Sequence, residues 1–195
     1  MKKLLWFSFG IVMVITLAAC GGGGGGAPGP TPQQTSVNLP KTGQLTSYGT
    51  GSIDDGALQR GVAWPSPRFT AGTGAEVDCV TDNLTGLMWV KAPDATTSSW
   101  QAVLDYADGL PLCGHTDWRL PNRKELRSLA NYGEANSATW LNAQGFSNVQ
   151  AGFYWSSTTY AGVTAGAWGV NMVDGLVFAN VKTNVGYVWP VRSGQ

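Results

Sequence analysis

Apolar side chains recur at helical spacing in two neighbouring stretches of the chain. In SSWQAVLDYADGL, Trp100, Val103, Leu104 and Ala107 fall at i, i+3, i+4 and i+7, one apolar stripe on a helix. Ser98 or Ser99 can cap it, and Gly109 and Pro111 stop it. A second helix is predicted within TDWRLPNRKELRSL, which starts at Thr116. Asn122 is its N-cap, Glu125 three residues on completes a capping box, and Leu126, Leu129 and Ala130 form its buried stripe. Gly133 is the C-cap candidate.

Elsewhere the pattern reads as short strands. TDNLTGLMWVK gives a turn over Asn83–Gly86 and a strand over Leu87–Val90, and FYWSSTTY is a β-prone run. AWGVNMVDGLVFANV is the best hairpin signal, with Asp174-Gly175 as a type I′ turn and Trp168, Val170 and Met172 on one face. NVGYVWPVR places Val185, Tyr187 and Trp189 on one face of a last strand. Strands seldom alternate with helices, so the expected class is α+β: two short helices, antiparallel strands and hairpins, and long ordered loops.

The first 19 residues follow another pattern. Lys2 and Lys3 precede an apolar run from Leu4 to Ala19, as in an export signal. Leu17-Ala18-Ala19-Cys20 resembles the lipobox of bacterial lipoproteins, in which cleavage precedes a lipidated cysteine. Residues 1–19 are therefore expected to be a signal peptide and Cys20 the lipid anchor to the membrane. Gly21 after that cysteine, where Asp would retain the protein, points to the outer membrane of the envelope. The Gly- and Pro-rich residues 20–44 are expected to be a tether, and residues 45–195 a single domain.

Loss of Lys2 and Lys3 leaves ten basic against twelve acidic side chains, so the mature chain is slightly acidic. That balance argues against nucleic acid as a partner. Cys79 and Cys113 remain after Cys20, and an even number in an oxidising compartment predicts one disulfide. His115 is the only histidine, and its spacing from the cysteines fits no zinc pattern. Asp54 and Asp55 are the only adjacent carboxylate pair, a weak calcium candidate. No cofactor is expected.

Charge near the second helix carries the remaining chemistry. At about 100° per residue, Lys124 points opposite the buried stripe, Arg123 and Arg127 share one flank, and Glu125 lies on the other. Arg119, beside Trp118 and before Pro121, is expected to be buried or half-buried and to brace the fold through Glu125, with Asp117 second and Arg192 joining. Arg123 and Arg127 are solvated-flank residues or anion contacts. Trp155, Tyr160, Trp168, Asn171 and Asp174 are candidates for stacking on a sugar ring or anchoring a partner, with core packing or a turn as the alternative for each.

The blocks DNLTGLMW, DWRLPNRKEL, YWSSTTYA, AWGVNMVDG and VWPVRSG, in this order and spacing, resemble the Lcl C-terminal domain family over about Arg68 to Gln195. The upstream PKTGQLTSYGTGSIDDGALQRGVAWPSPRF resembles the N-terminal extension that accompanies such domains. The resemblance implies a C-type-lectin-like fold and a binding module on the cell envelope; in the adhesin that names the family the domain is linked to attachment and sulfated glycans. This chain has no collagen-like repeat and carries neither Glu-Pro-Asn nor Gln-Pro-Asp, the lectin calcium motifs. The expected function is thus a non-enzymatic, lectin-like or adhesive module for a glycan or a protein. The alternative is an envelope assembly component with a protein partner.

Overall fold

The computed structural model describes residues 39–51 and 53–194. Cys20, the predicted signal peptide and most of the predicted tether lie outside them. Among the described residues four α-helices are present: α1 (Asp55–Leu58), α2 (Trp100–Asp108), α3 (Arg123–Ser128) and α4 (Ser137–Ala143). The strands are β1 (Phe69–Ala71), β2 (Cys79–Asp82), β3 (Leu87–Val90), β4 (Ser98–Ser99), β5 (Phe153–Thr159), β6 (Gly166–Asn171), β7 (Val177–Val181), β8 (Val185–Gly186) and β9 (Val191–Ser193). They form sheets β1-β2-β3-β9, β5-β6-β7 and β4-β8, every named strand pair antiparallel. The class is α+β. Among the described residues no helix is long and apolar enough to cross a membrane.

Large aromatics build the core. Trp89, Trp118, Trp155, Trp189 and Tyr154 are essentially fully buried. Trp189 meets Trp89, Phe146 and Tyr154 with ring centroids 5.7, 5.1 and 5.6 Å away. Each buried indole removes about 150–250 Å² from water, roughly 4–6 kcal/mol of gross stabilisation before the entropy of ordering. The polar N–H must be satisfied, and three are: Trp189 donates to Val90 O (2.8 Å), Trp118 to Leu112 O (3.0 Å) and Trp155 to Ser98 O (3.1 Å). A disulfide joins Cys79 on β2 to Cys113 in the α2–α3 connection, 34 residues on.

Local rules explain most elements. In α3, Asn122 accepts from the backbone of Lys124 and Glu125 while Glu125 reaches back to the Asn122 N–H, a complete capping box. The β2–β3 turn is tied by Asp82, whose carboxylate accepts Leu84 N–H and Thr85 Oγ1–H, both at 3.0 Å. Gly86 completes the turn at φ +71°.

The fold departs from the sequence reading in several places. Among the described residues there are four α-helices, not two; α4 is two turns long and α1 barely one, too short to give a clear period. The β6–β7 connection is Met172–Leu176, not a two-residue turn, because Gly175 alone has positive φ where type I′ needs two such residues. The last run does not alternate: Val185 is exposed, and Val188 to Arg192 are all buried because both faces are covered. Helix α3 ends at Ser128 and is capped by Leu129, so Gly133 is not its C-cap. The domain also starts before residue 45: Pro40 bridges Val62, and Tyr132 N–H donates to Thr42 O at 3.0 Å.

Candidate functional site

A bulge in β5 positions the site. Trp155 faces Gly169 and Thr159 faces Ala167, so β5 spends extra residues between these pairs. The bulged segment grips the start of α3: Ser157 N–H donates to Pro121 O (2.8 Å), and Arg123 N–H donates to Thr158 Oγ1 (3.1 Å). Leu126, fully buried, holds the helix down. These contacts lay α3 beside β6, and the Arg123 guanidinium sits 4.8 Å from the Trp168 ring centroid. Trp168 in turn meets Tyr160 edge-on at 5.1 Å.

Arg123, Lys124, Arg127, Trp168 and Val177 line one shallow groove of about 320 Å³. An adjoining hollow of about 400 Å³ shares Arg127 and Val177 and adds Tyr132, Asp174, Gly175 and Leu176. Arg127 is set by Tyr132: its Nε–H donates to the phenol oxygen at 2.9 Å, and that hydroxyl donates to Gly175 O at 3.4 Å. Among the described residues the ion pairs are Arg68–Asp82, His115–Glu76, Arg119–Glu125 and Arg192–Asp117. None involves Arg123, Lys124 or Arg127. Three cations with no carboxylate partner among the described residues thus line a groove with one half-buried indole, and Arg123 lies against that ring.

The other predicted residues are distributed as follows. Trp155 is not a surface ligand; it is fully buried, packed edge-on to Phe153 at 4.9 Å. Asn171 and Asp174 accept backbone N–H groups of their own loop, from Val173 and Leu176, each at 2.9 Å. Arg119 is half-buried and forks onto both Glu125 oxygens at 2.8 Å. Burial pushes the Glu125 carboxyl up, but the Arg119 fork and the Asn122 N–H outweigh it and hold its pKa below the usual range. Arg192 does not join this pair. It is buried and binds Asp117 at 2.7 and 3.2 Å, which lowers the Asp117 pKa. Asp54 caps α1 and accepts Tyr48, Gly49 and Ala57 N–H; with the Tyr48 bond first, these hold its pKa at about 2. Asp55 accepts the Thr42 hydroxyl. Both carboxylates are thus used within the loop, and no group of three His, Cys, Asp or Glu side chains suited to a metal ion occurs among the described residues.

Sequence reasoning missed several residues. Lys124 is exposed, as its place opposite the buried stripe predicts, but it also lines the groove with Arg123 and Arg127, a role the sequence reading did not give it. Tyr132 carried no local signal; it enters through the fold of the α3–α4 connection. The buried charge pair of the core is Arg68–Asp82, between side chains 3% and 0% exposed, and not Arg119–Glu125, where Arg119 is 42% exposed.

Fold and groove together define a small α+β domain with a cationic, aromatic surface site assembled on a helix and a hairpin. The chain belongs to the Lcl C-terminal domain family, whose model matches residues 78–192, more than half of its length. The groove residues all fall inside that match. A search of curated proteins finds no match to the chain.

Proposed function

We propose that this protein is a non-enzymatic, lipid-anchored envelope module that binds an anionic glycan on the groove formed by α3 and the β6–β7 hairpin. The observation that carries the reading is that Arg123, Lys124 and Arg127, without carboxylate partners among the described residues, share one groove with Trp168. An arginine offers a planar fork to a sulfate or carboxylate. An indole offers a flat apolar face to a sugar ring. The mature chain is slightly acidic overall, so attraction would be local to this groove and short in range at physiological ionic strength. The lipobox-like Cys20 followed by Gly21 supports display on the outer membrane, and the lectin-like character that the resemblance implies supports a glycan ligand. His115, the only histidine, is turned to Glu76 at 3.4 Å, away from the groove residues, which supports a binding role over catalysis.

A retention assay tests this reading. The protein is passed over immobilised sulfated polysaccharide and over its desulfated counterpart. The expected result is selective retention on the sulfated matrix, elution by about 0.5 M NaCl, and loss of retention in the Arg123→Ala/Lys124→Ala/Arg127→Ala variant. Equal retention of that variant would overturn the proposal. Capture of an envelope protein with no polysaccharide binding would favour the assembly reading, which the exposed Leu45, Tyr48 and Ile53 side chains also support.

A further inference from the structure

A second site joins the segment that precedes the family match to the α3–α4 region inside it. The loop from Leu39 to Val62 closes on itself through Lys41 N–H to Val62 O (3.0 Å) and Val62 N–H to Leu39 O (2.8 Å). Its start then crosses the α3–α4 connection. Gly43, at φ +94°, packs against Asn131 and Gly133, where a side chain at residue 43 would collide. Between loop and domain a cleft of about 540 Å³ opens, within the roughly 300–1,000 Å³ range of small-ligand sites. Seven of its eleven lining residues come from the segment before residue 78, and the other four from Asn131 to Trp140.

The wall has a defined chemistry. Trp64 and Trp140 stand side by side, centroids 5.6 Å apart and planes 43° apart. Both rings are braced. The Trp64 N–H donates to Lys41 O at 2.8 Å, the Arg68 guanidinium lies 4.3 Å from its ring centroid, and Trp140 packs edge-on to Phe69. Around them Lys41, Gln59, Asn131 and Glu134 line the same space. Asn131 is 7% exposed, and its Oδ1 accepts Gly133 N–H at 2.9 Å. Its Nδ2 donates to nothing among the described residues, an unspent donor on a buried side chain in the cleft wall. One cation and one anion on the rim cancel, so the cleft favours neither charge.

We infer that this cleft binds an uncharged sugar ring of an oligosaccharide, stacked on Trp64 and Trp140, with hydroxyl groups meeting Asn131 Nδ2, Lys41, Gln59 and Glu134. Apolar C–H faces with polar edges are what an aromatic pair ringed by amides and opposite charges suits. The inference does not depend on the α3 groove; it uses other residues and another ligand chemistry.

The test is calorimetric titration of the full chain, in a detergent without a sugar headgroup, with uncharged chito-, cello-, malto- and manno-trisaccharides. At least one is expected to bind with Kd at or below the order of 10 mM, unchanged by about 0.5 M NaCl. Trp64→Ala is expected to weaken it at least about tenfold. Glu134→Ala, at an exposed position that does not bear on folding, is expected to weaken it several-fold. The Arg123→Ala/Lys124→Ala/Arg127→Ala variant is expected to bind it normally, which separates this site from the α3 groove. No binding by any of the four would overturn the inference, as would wild-type binding by both Glu134→Ala and Trp64→Ala, or loss of binding in the triple variant alone.

Discussion

Asp82→Ala is expected to cost this domain more than any other single charge removal. Arg68 and Asp82 are 5% and 0% exposed. The guanidinium gives Nε and Nη2 to the carboxylate at 3.3 Å each and Nη2 to Ser128 O at 2.6 Å, while Nη1 is buried with no partner among the described residues. Without Asp82 one carbonyl and the faces of Trp64 and Phe69 are left to hold a buried cation, with no anion beside it among the described residues. Burial already lowers the proton affinity of Arg68, and Asp82 is the opposing influence. Breaking a buried pair on one side costs about 3–5 kcal/mol. Asp82 also ties the β2–β3 turn through Leu84 and Thr85, which puts the loss at the upper end of that range. Against a total of about 5–15 kcal/mol this is severe. Urea unfolding followed by tryptophan fluorescence measures it as a lower midpoint at constant slope. In the Arg68→Met/Asp82→Ala double variant the stranded charge is gone, and part of the stability is expected to return. A loss below about 1 kcal/mol for Asp82→Ala, or a double variant no more stable than the single, would refute the reasoning.

Other consequences are milder. Arg119→Ala breaks a fork whose arginine is 42% exposed, so it is expected to cost at most about 1 kcal/mol, a fall of roughly 2–4 °C in Tm; failure of the variant to fold would contradict this. Cys79→Ala/Cys113→Ala opens a link across 34 residues, expected to cost about 3–4 kcal/mol by chain entropy, measured by denaturant unfolding. Glu125 and Asp117 have folded pKa values below 4.5 and 3.8. Their contribution is complete above those values and is lost as pH falls through the lower folded ones, so Tm is expected to drop below about pH 4. Glu125→Gln is expected to flatten that drop, and a Tm profile identical to wild type would count against it.

What could be read from the sequence was local. The capping box at Asn122 and Glu125, the Asn83–Gly86 turn and the stripe of α2 each depend on residues within a few positions of one another. What could not be read was set by distant partners. Arg192 finds Asp117 across 75 positions, and Trp64 meets Trp140 across the loop that precedes β1. Trp155 and Trp168 belong to adjacent strands with similar composition. Only the docking of α2 and β8 against the β5 side buries the first, while the α3 side leaves the second half open. Helix α4 carried a start signal at Asn136, whose side chain accepts Thr139 N–H, but two turns are too few to show a period.

The α3 groove is the proposed anion site. Chemical-shift mapping of arginine Nε–H and tryptophan indole N–H resonances during titration with a sulfated oligosaccharide tests it most directly. The Arg123, Arg127 and Trp168 signals are expected to move together and saturate at one concentration. Movement confined to Arg119, Trp64 and Trp140, with those three unmoved, would contradict the account.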